Sequence, residues 1–335
     1  MQFQSEATDN HSKALQALLA KSPSHWAALT PLETIEFEAF NRARIKVSIK
    51  REDLLHEFAS GNKLYKLWGH LMAAQDLKAK RLVSFGGYYS NHLHALAHAG
   101  KALGVATKAM VRGHRPKYLS PTLADCQSLG MQLQFVSRKD YRSLKTQCLS
   151  AAPLDSAGDY WVPEGGGSSA GISGCSAIIE GVREQLRQSL EASNAPLTIC
   201  AAVGTGTMAS GLLSALAPQD SLLGYCALKF GDGLVSTREE IRHQSGNLNA
   251  TFCLFDETRF GGFARVSDEL FEFMADFHRQ TGVLLDPLYT GKMLYRIVEQ
   301  AATARWQPGE HVIIVHSGGL QGRRGFHQLN TASDI

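Results

Sequence analysis

The sequence predicts an α/β chain built on a largely parallel sheet with helices on both faces. Short apolar runs alternate with amphipathic segments along most of its length, the pattern of strands and helices that share such a sheet. Four Gly-rich loops follow apolar runs, where ligand loops leave the carboxyl ends of parallel strands. The chain has 335 residues, 44% hydrophobic and 19% charged, enough for one large lobe or two coupled ones.

In chain order, residues 44–50 read as a strand, 64–77 as a helix, 81–85 as a buried strand and 92–103 as a helix. Then come strand 105–111, helix 119–129 and strand 131–136. Strand 197–203 leads into helix 207–215, followed by strand 222–228. Helices 268–281 and 291–304 precede the last strand, 311–316. The first forty residues show no regular pattern and are left unassigned, and there is no internal repeat or low-complexity tract.

Bulk properties exclude several classes. A dispersed net charge of +3 gives no basic face for nucleic acid or an anionic membrane. No apolar run approaches the roughly 18 residues of a membrane span, and residues 1–13 have no signal-peptide core, so a cytoplasmic location is expected. The six cysteines form no C-x-x-C pair and are expected to be reduced and largely buried.

Four segments carry chemistry. In Ser60-Gly61-Asn62-Lys63-Leu64-Tyr65-Lys66, Ser60 or Asn62 can cap the helix that follows. Lys63 then lies in the first turn, where the helix dipole and the charge of Lys66 disfavour its ammonium form. A neutral amine is the nucleophile a Schiff-base lysine must supply; the ordinary alternative is a pair of solvated lysines. Gly204-Thr205-Gly206-Thr207 joins a strand to a helix and suits a phosphate, with free N–H groups, hydroxyls and a helix N-terminus. Gly204, Gly206 and Ala209 also match a dinucleotide fingerprint, but the next strand runs into Lys229 and Phe230 instead of the acid that fingerprint wants. A monophosphate is therefore preferred to a dinucleotide.

Gly86-Gly87-Tyr88-Tyr89-Ser90-Asn91-His92 offers N–H groups, the Ser90 hydroxyl and the Asn91 amide to a carboxylate. His94 and His98 lie one turn apart without a third ligand nearby, so solvated or packing histidines are preferred to a metal site. In Asp286-Pro287-Leu288-Tyr289-Thr290-Gly291-Lys292, Tyr289 is either a proton-moving phenol or a half-buried tyrosine. Ser317-Gly318-Gly319 follows the last strand.

Lys50-Arg51-Glu52-Asp53, Gly61-Asn62-Lys63-x-x-Lys66, Ser90-Asn91-His92, the 204–207 loop, Asp286-Pro287-x-Tyr289-Thr290-Gly291-Lys292 and His316-Ser317-Gly318-Gly319 stand in one order. From about residue 50 to 322 the chain resembles the 1-aminocyclopropane-1-carboxylate deaminase and D-cysteine desulfhydrase family, pyridoxal-phosphate enzymes of fold type II. The resemblance implies a doubly wound, tryptophan synthase β-like large domain (1–66 and 177–335) with a smaller inserted α/β domain (67–176), and a homodimer. It implies that Lys63 carries pyridoxal 5'-phosphate, that Lys66 and Gly204, Thr205, Gly206 and Thr207 hold its phosphate, and that Asn91 contacts its phenolic oxygen. Ser90, Asn91 and His92 would bind the substrate carboxylate, Tyr289 would face the substrate and Phe260 would stack on the cofactor. The residues near 165–171 would lie by the hinge or the cofactor.

In the resembling cyclopropane deaminases a glutamate faces the pyridine nitrogen where this chain has Thr290; the other candidate position is Ser317. A hydroxyl gives a weaker electron sink than a carboxylate, which suits α-proton removal with β-elimination better than cyclopropane opening. The expected enzyme is thus a lyase or deaminase of small amino acids, desulfhydrase-like, with Lys63 as the base and Tyr289 or Ser90 assisting. The alternatives are a cyclopropane deaminase, a nucleotide-dependent oxidoreductase and a non-catalytic pyridoxal-phosphate carrier. Tyr88-Tyr89, Phe260 and Leu320-Gln321-Gly322-Arg323-Arg324 depart from the family pattern, and Arg323 or Arg324 is either a receptor for a second carboxylate or structural.

Overall fold

The computed structural model describes residues 2–59, 61–189, 195–262 and 264–329. It opens with α1 (Gln2–Leu19), α2 (Pro23–Leu29), β1 (Leu32–Thr34), α3 (Glu38–Ala43), β2 (Lys46–Lys50) and α4 (Asn62–Asp76). β3 (Arg81–Gly86), α5 (Asn91–Leu103), β4 (Ala106–Arg112), α6 (Pro121–Ser128), β5 (Gln132–Val136), α7 (Arg138–Ser150), β6 (Asp159–Trp161) and α8 (Ser169–Gln188) follow. The rest is β7 (Thr198–Val203), α9 (Thr207–Ser214), β8 (Ser221–Cys226), α10 (Leu234–Ser245), β9 (Thr251–Phe255), α11 (Asp268–Thr281), α12 (Thr290–Ala302) and β10 (His311–Val315).

The strands form two sheets, in the orders β1-β2-β10-β7-β8-β9 and β5-β4-β3-β6. All pairings are parallel except the edge pair of β1 with β2. In the larger sheet the central strands are largely apolar, as strands covered on both faces must be: β7 and β10 bury Ile199, Ala201, Ile313 and Val315. Every strand predicted from sequence is present, with ends shifted by one or two residues. The helices that the sequence hid are α1, α2, α3, α7, α8 and α10.

α8 is the informative miss. Its first turns carry Gly171 and Gly174, which lower helix propensity. A Cβ on Gly174 would sit 2.0 Å from the carbonyl oxygen of Tyr65, and one on Gly171 would sit 2.1 Å from that of Gly166. The glycines let α8 lie directly on α4, the helix that carries Lys63.

The Lys50-Arg51-Glu52-Asp53 run is a structural base for that helix. Lys50 is fully buried and donates to the carbonyl of Ala27 at 2.5 Å and to that of Thr30. Glu52 accepts from Tyr65 at 2.7 Å and Thr30 at 2.9 Å, and its backbone carbonyl accepts from Gly61 N–H at 2.9 Å. Burial raises Glu52 to about 7 and lowers Lys50 to about 8. The cysteines are free and mostly buried. Among the described residues no group of side chains is arranged to hold a metal, and no helix is long and apolar enough to cross a membrane.

Candidate active site

A cavity of about 460 Å³ is lined by residues from the carboxyl ends of both sheets. It gathers Lys63, Lys66, Ser90, Asn91, His92, Gly204, Thr205, Gly206, Tyr289 and Ser317. These belong to segments far apart in sequence; Ser90, Asn91, His92, Gly204, Thr205, Gly206 and Ser317 follow strand ends, whereas Lys63 and Lys66 come from α4 and Tyr289 from the coil before α12.

Lys63 is the second residue of α4. The helix is capped by Gly61, whose φ of 65° is open to glycine and strained for other residues. A Cβ there would meet the Ser317 carbonyl oxygen at 2.0 Å, so only glycine lets the 317–319 loop close on the start of α4. Asn62 is the first helical residue instead of the cap, and Ser60 lies outside the described residues. The Lys63 side chain is half-buried and donates to Asn62 Oδ1 at 2.6 Å. Burial, then the charge of Lys66, lowers its amine to about 7. At neutral pH a large share of it is the free base.

Lys66 is 4% exposed, and among the described residues no hydrogen bond or ion pair engages its amine. Burial lowers its pKa. A buried amine facing a cavity without a counter-ion calls for an anion. The turn beside it is built for one. Gly206 caps α9 with φ 82° and no side-chain cap bond, so the first-turn N–H groups keep their donor capacity. Thr205 and Thr207 place their hydroxyls 3.2 Å apart. Thr207 is itself buried beside Gly167, behind the cavity wall. Gly165, with φ 70°, packs against Thr205 and lines the cavity, as the resemblance implied for this stretch.

The α5 turn differs. Ser90 is the N-cap and accepts from Leu93 N–H at 3.2 Å. Asn91 Oδ1 accepts from Gln321, which also accepts from Thr122 at 2.8 Å. His92 is buried. The Ser84 hydroxyl donates to the Val162 carbonyl, so it accepts from His92 Nε2–H at 2.8 Å. This leaves Nδ1 unprotonated, buried and without a partner. Burial lowers the His92 pKa well below the usual value. The neutral ring thus offers an acceptor toward its surroundings.

Two other expectations are corrected. Phe260 lies outside the cavity, packed edge-on against Tyr295 at 5.1 Å with Lys292 above its ring. Thr290 is fully buried at the start of α12, and its hydroxyl donates to Asp286 Oδ2 at 2.7 Å. Asp286 caps that helix, accepting from the N–H groups of Leu288, Tyr289 and Thr290. Of the two hydroxyls considered for the pyridine nitrogen, only Ser317 lines the cavity. Tyr289 is packed on Gly204, where a Cβ would lie 3.0 Å from its ring, and burial raises its pKa.

Arg323 and Arg324 are not on the cavity wall. Arg323 donates to the Leu285 carbonyl at 2.7 Å, and Arg324 pairs with Asp125 at 2.6 Å. Asp125 also accepts from His94, which stacks obliquely on His98. The two histidines pack, as expected. Sequence reasoning missed Arg112, Glu164 and Phe326 as lining residues. Arg112 carried no signal beyond its place at a strand end.

Residues 25–318 match the family model described as "Pyridoxal-phosphate dependent enzyme". Among curated proteins, the chain is 29% identical over 331 residues to a Pyrococcus furiosus protein provisionally named 1-aminocyclopropane-1-carboxylate deaminase, covering 93% of this chain and 96% of that one. It is 26% identical over 330 residues to the D-cysteine desulfhydrase of Serratia proteamaculans, covering 93% and 98%. A solved structure titled as an ACC deaminase homologue superposes with a TM-score of 0.68 at 22% identity, over 91% of this chain and 94% of that one. The fold is the one predicted.

Proposed function

The chain belongs to the family of pyridoxal-phosphate dependent enzymes, and on that premise we propose that it is a lyase that eliminates the β-substituent of a small amino acid. The residues present fit the cofactor. The buried Lys66 amine and the uncapped start of α9 suit its phosphate, the Lys63 amine its aldehyde, and the orphaned His92 Nδ1 is an acceptor for a donor in the cavity.

Bound there, the cofactor supplies an electron sink for negative charge developing at the substrate α-carbon. Lys63 is the base: its neutral Nζ would take the α-proton. Ser90 and the first turn of α5 hold the substrate carboxylate, with Asn91 kept in place by Gln321. Tyr289, held protonated by burial, is the candidate donor to the leaving group. The net change breaks the Cα–H and Cβ–X bonds; water then supplies the oxygen of the 2-oxo acid and nitrogen leaves as ammonia.

The observation that carries the choice of elimination is Ser317. Of the two hydroxyls considered for the pyridine nitrogen, Ser317 and not Thr290 lines the cavity, which supports a hydroxyl partner there. A hydroxyl leaves that nitrogen neutral, which disfavours cyclopropane opening. The deaminase reading keeps the support of the Pyrococcus relative's name. Assaying holoenzyme with D- and L-cysteine, β-chloroalanine and 1-aminocyclopropane-1-carboxylate separates the readings. Pyruvate from the β-substituted amino acids supports the proposal; 2-oxobutyrate from the cyclopropane as the dominant product overturns it.

The proposal extends to organisation. The strands at 81–161 form the second sheet, which supports the division into 67–176 and 1–66 with 177–335. A homodimer in the cytoplasm is the expected state.

A further inference from the structure

Among the described residues, Arg112 is the one cation on the cavity wall that the cofactor and its lysines leave without a role. It ends β4, beside the turn between β3 and α5. Its Nη2 lies 3.9 Å from where a Cβ of Gly87 would be, three residues before Ser90. The guanidinium sits over the Tyr141 ring, 5.7 Å from its centroid. The nearby cavity carboxylate, Glu164, is already taken: it accepts from Tyr141 at 2.6 Å and from Lys145 at 2.8 Å. Among the described residues no hydrogen bond or close ion pair engages Arg112; its charge acts on Glu164 and helps hold that carboxyl below its usual range.

Arg112 is exposed, lines the cavity and is braced on an aromatic ring, and its planar guanidinium can bind an oxyanion there bidentately. On the reading that seats the substrate carboxylate at the start of α5, Arg112 stands beside the same turn, within reach of the other end of a small substrate.

We propose that Arg112 is a specificity residue that selects amino acids whose β-substituent carries an oxyanion, such as a sulfate or phosphate ester. This rests on the elimination reading above. The step balances without a further reagent. Serine O-sulfate plus water gives pyruvate, ammonia and hydrogen sulfate: Lys63 takes the α-proton, and the Cβ–O electron pair leaves with the sulfate.

The test compares kcat/KM for serine O-sulfate and O-phosphoserine, in both configurations, with that for uncharged β-chloroalanine. In the wild type the oxyanion substrates are preferred. In Arg112→Met the ratio of charged to uncharged kcat/KM falls roughly ten- to a hundred-fold, the range of a charge-assisted hydrogen-bonded contact. Arg112→Lys recovers part of it, and Arg112→Glu reverses the preference. Independently of turnover, calorimetric titration of holoenzyme with 3-sulfopropionate against propionate reads the same contact as a binding ratio that Arg112→Met abolishes. A ratio unchanged by Arg112→Met in both measurements overturns the proposal. If no β-substituted amino acid turns over yet 3-sulfopropionate still binds through Arg112, the elimination reading fails and the anion subsite stands.

Discussion

The turn from β3 into α5 and the turn from β7 into α9 both pass from an apolar strand through glycine to a helix start on one cavity, yet they are finished differently. At α5, Ser90 caps the helix and Gln321 holds Asn91, so protein groups already meet much of the polar demand. At α9, Gly206 gives no side-chain cap, and the neighbouring Lys66 amine is buried without a counter-ion among the described residues. A helix start left uncapped in the interior costs stability unless a ligand completes it. The difference teaches which end of the cavity waits for a permanent guest and which for a transient one. The α9 end is incomplete without an anion, as a resident phosphate requires. The α5 end stands alone and can bind and release a carboxylate.

The sharpest way to break this comparison is Lys66→Met. Cofactor affinity should fall roughly ten- to a hundred-fold, the value of one charge-assisted contact. The melting temperature of the cofactor-free protein should not fall, because a similar apolar volume replaces a buried uncompensated amine. Titration with pyridoxal phosphate and thermal denaturation read the two effects. A large loss of melting temperature with unchanged cofactor affinity would make Lys66 structural.

Next in size is the pH dependence of cofactor capture. Only the neutral Lys63 amine reacts, and its pKa is lowered to about 7. Stopped-flow capture by cofactor-free protein should therefore speed up with rising pH through a midpoint near about 7, far below an ordinary lysine. Because the charge of Lys66 helps lower that value, Lys66→Met should move the midpoint up. A midpoint unmoved by the substitution would remove Lys66 from the account of Lys63.

The smallest pair of effects separates the turns themselves. Gly206→Ala puts a Cβ at φ 82° and 2.9 Å from Ile241 Cγ1. About 1–2 kcal/mol of left-handed strain should appear mainly as weaker cofactor binding. Ser90→Ala removes a cap worth about 1 kcal/mol; it should lower the melting point and raise KM for the amino acid while leaving cofactor affinity near wild type. Exchanged phenotypes would reverse the assignment of the two ends.

Much of this site was legible in the sequence because its parts are local. Gly204 to Gly206 after an apolar strand, and Lys63 in a first helical turn, state their own geometry. What was not legible depends on long-range packing. Thr290 reads as a cofactor contact by resemblance, but Asp286, four residues earlier, captures its hydroxyl to cap α12. Phe260 was assigned by its place in the chain, and the glycines after it carry no signal for which side of β9 the ring takes. α8 was hidden because Gly171 and Gly174 read as loop until α4 is packed against them. α7 and α10 are polar and expose most of their surface, so they show little apolar periodicity. Arg112 has neither motif nor period; its meaning comes from the strand that ends beside it.

The central claim is that Lys63 carries the cofactor. Its most direct test is borohydride reduction of the cofactor-loaded protein, then peptide mass spectrometry of wild type and Lys63→Ala. The account predicts one reduced pyridoxyl adduct, on Lys63, and none in the variant. An adduct on another lysine, or equal labelling in Lys63→Ala, would contradict it.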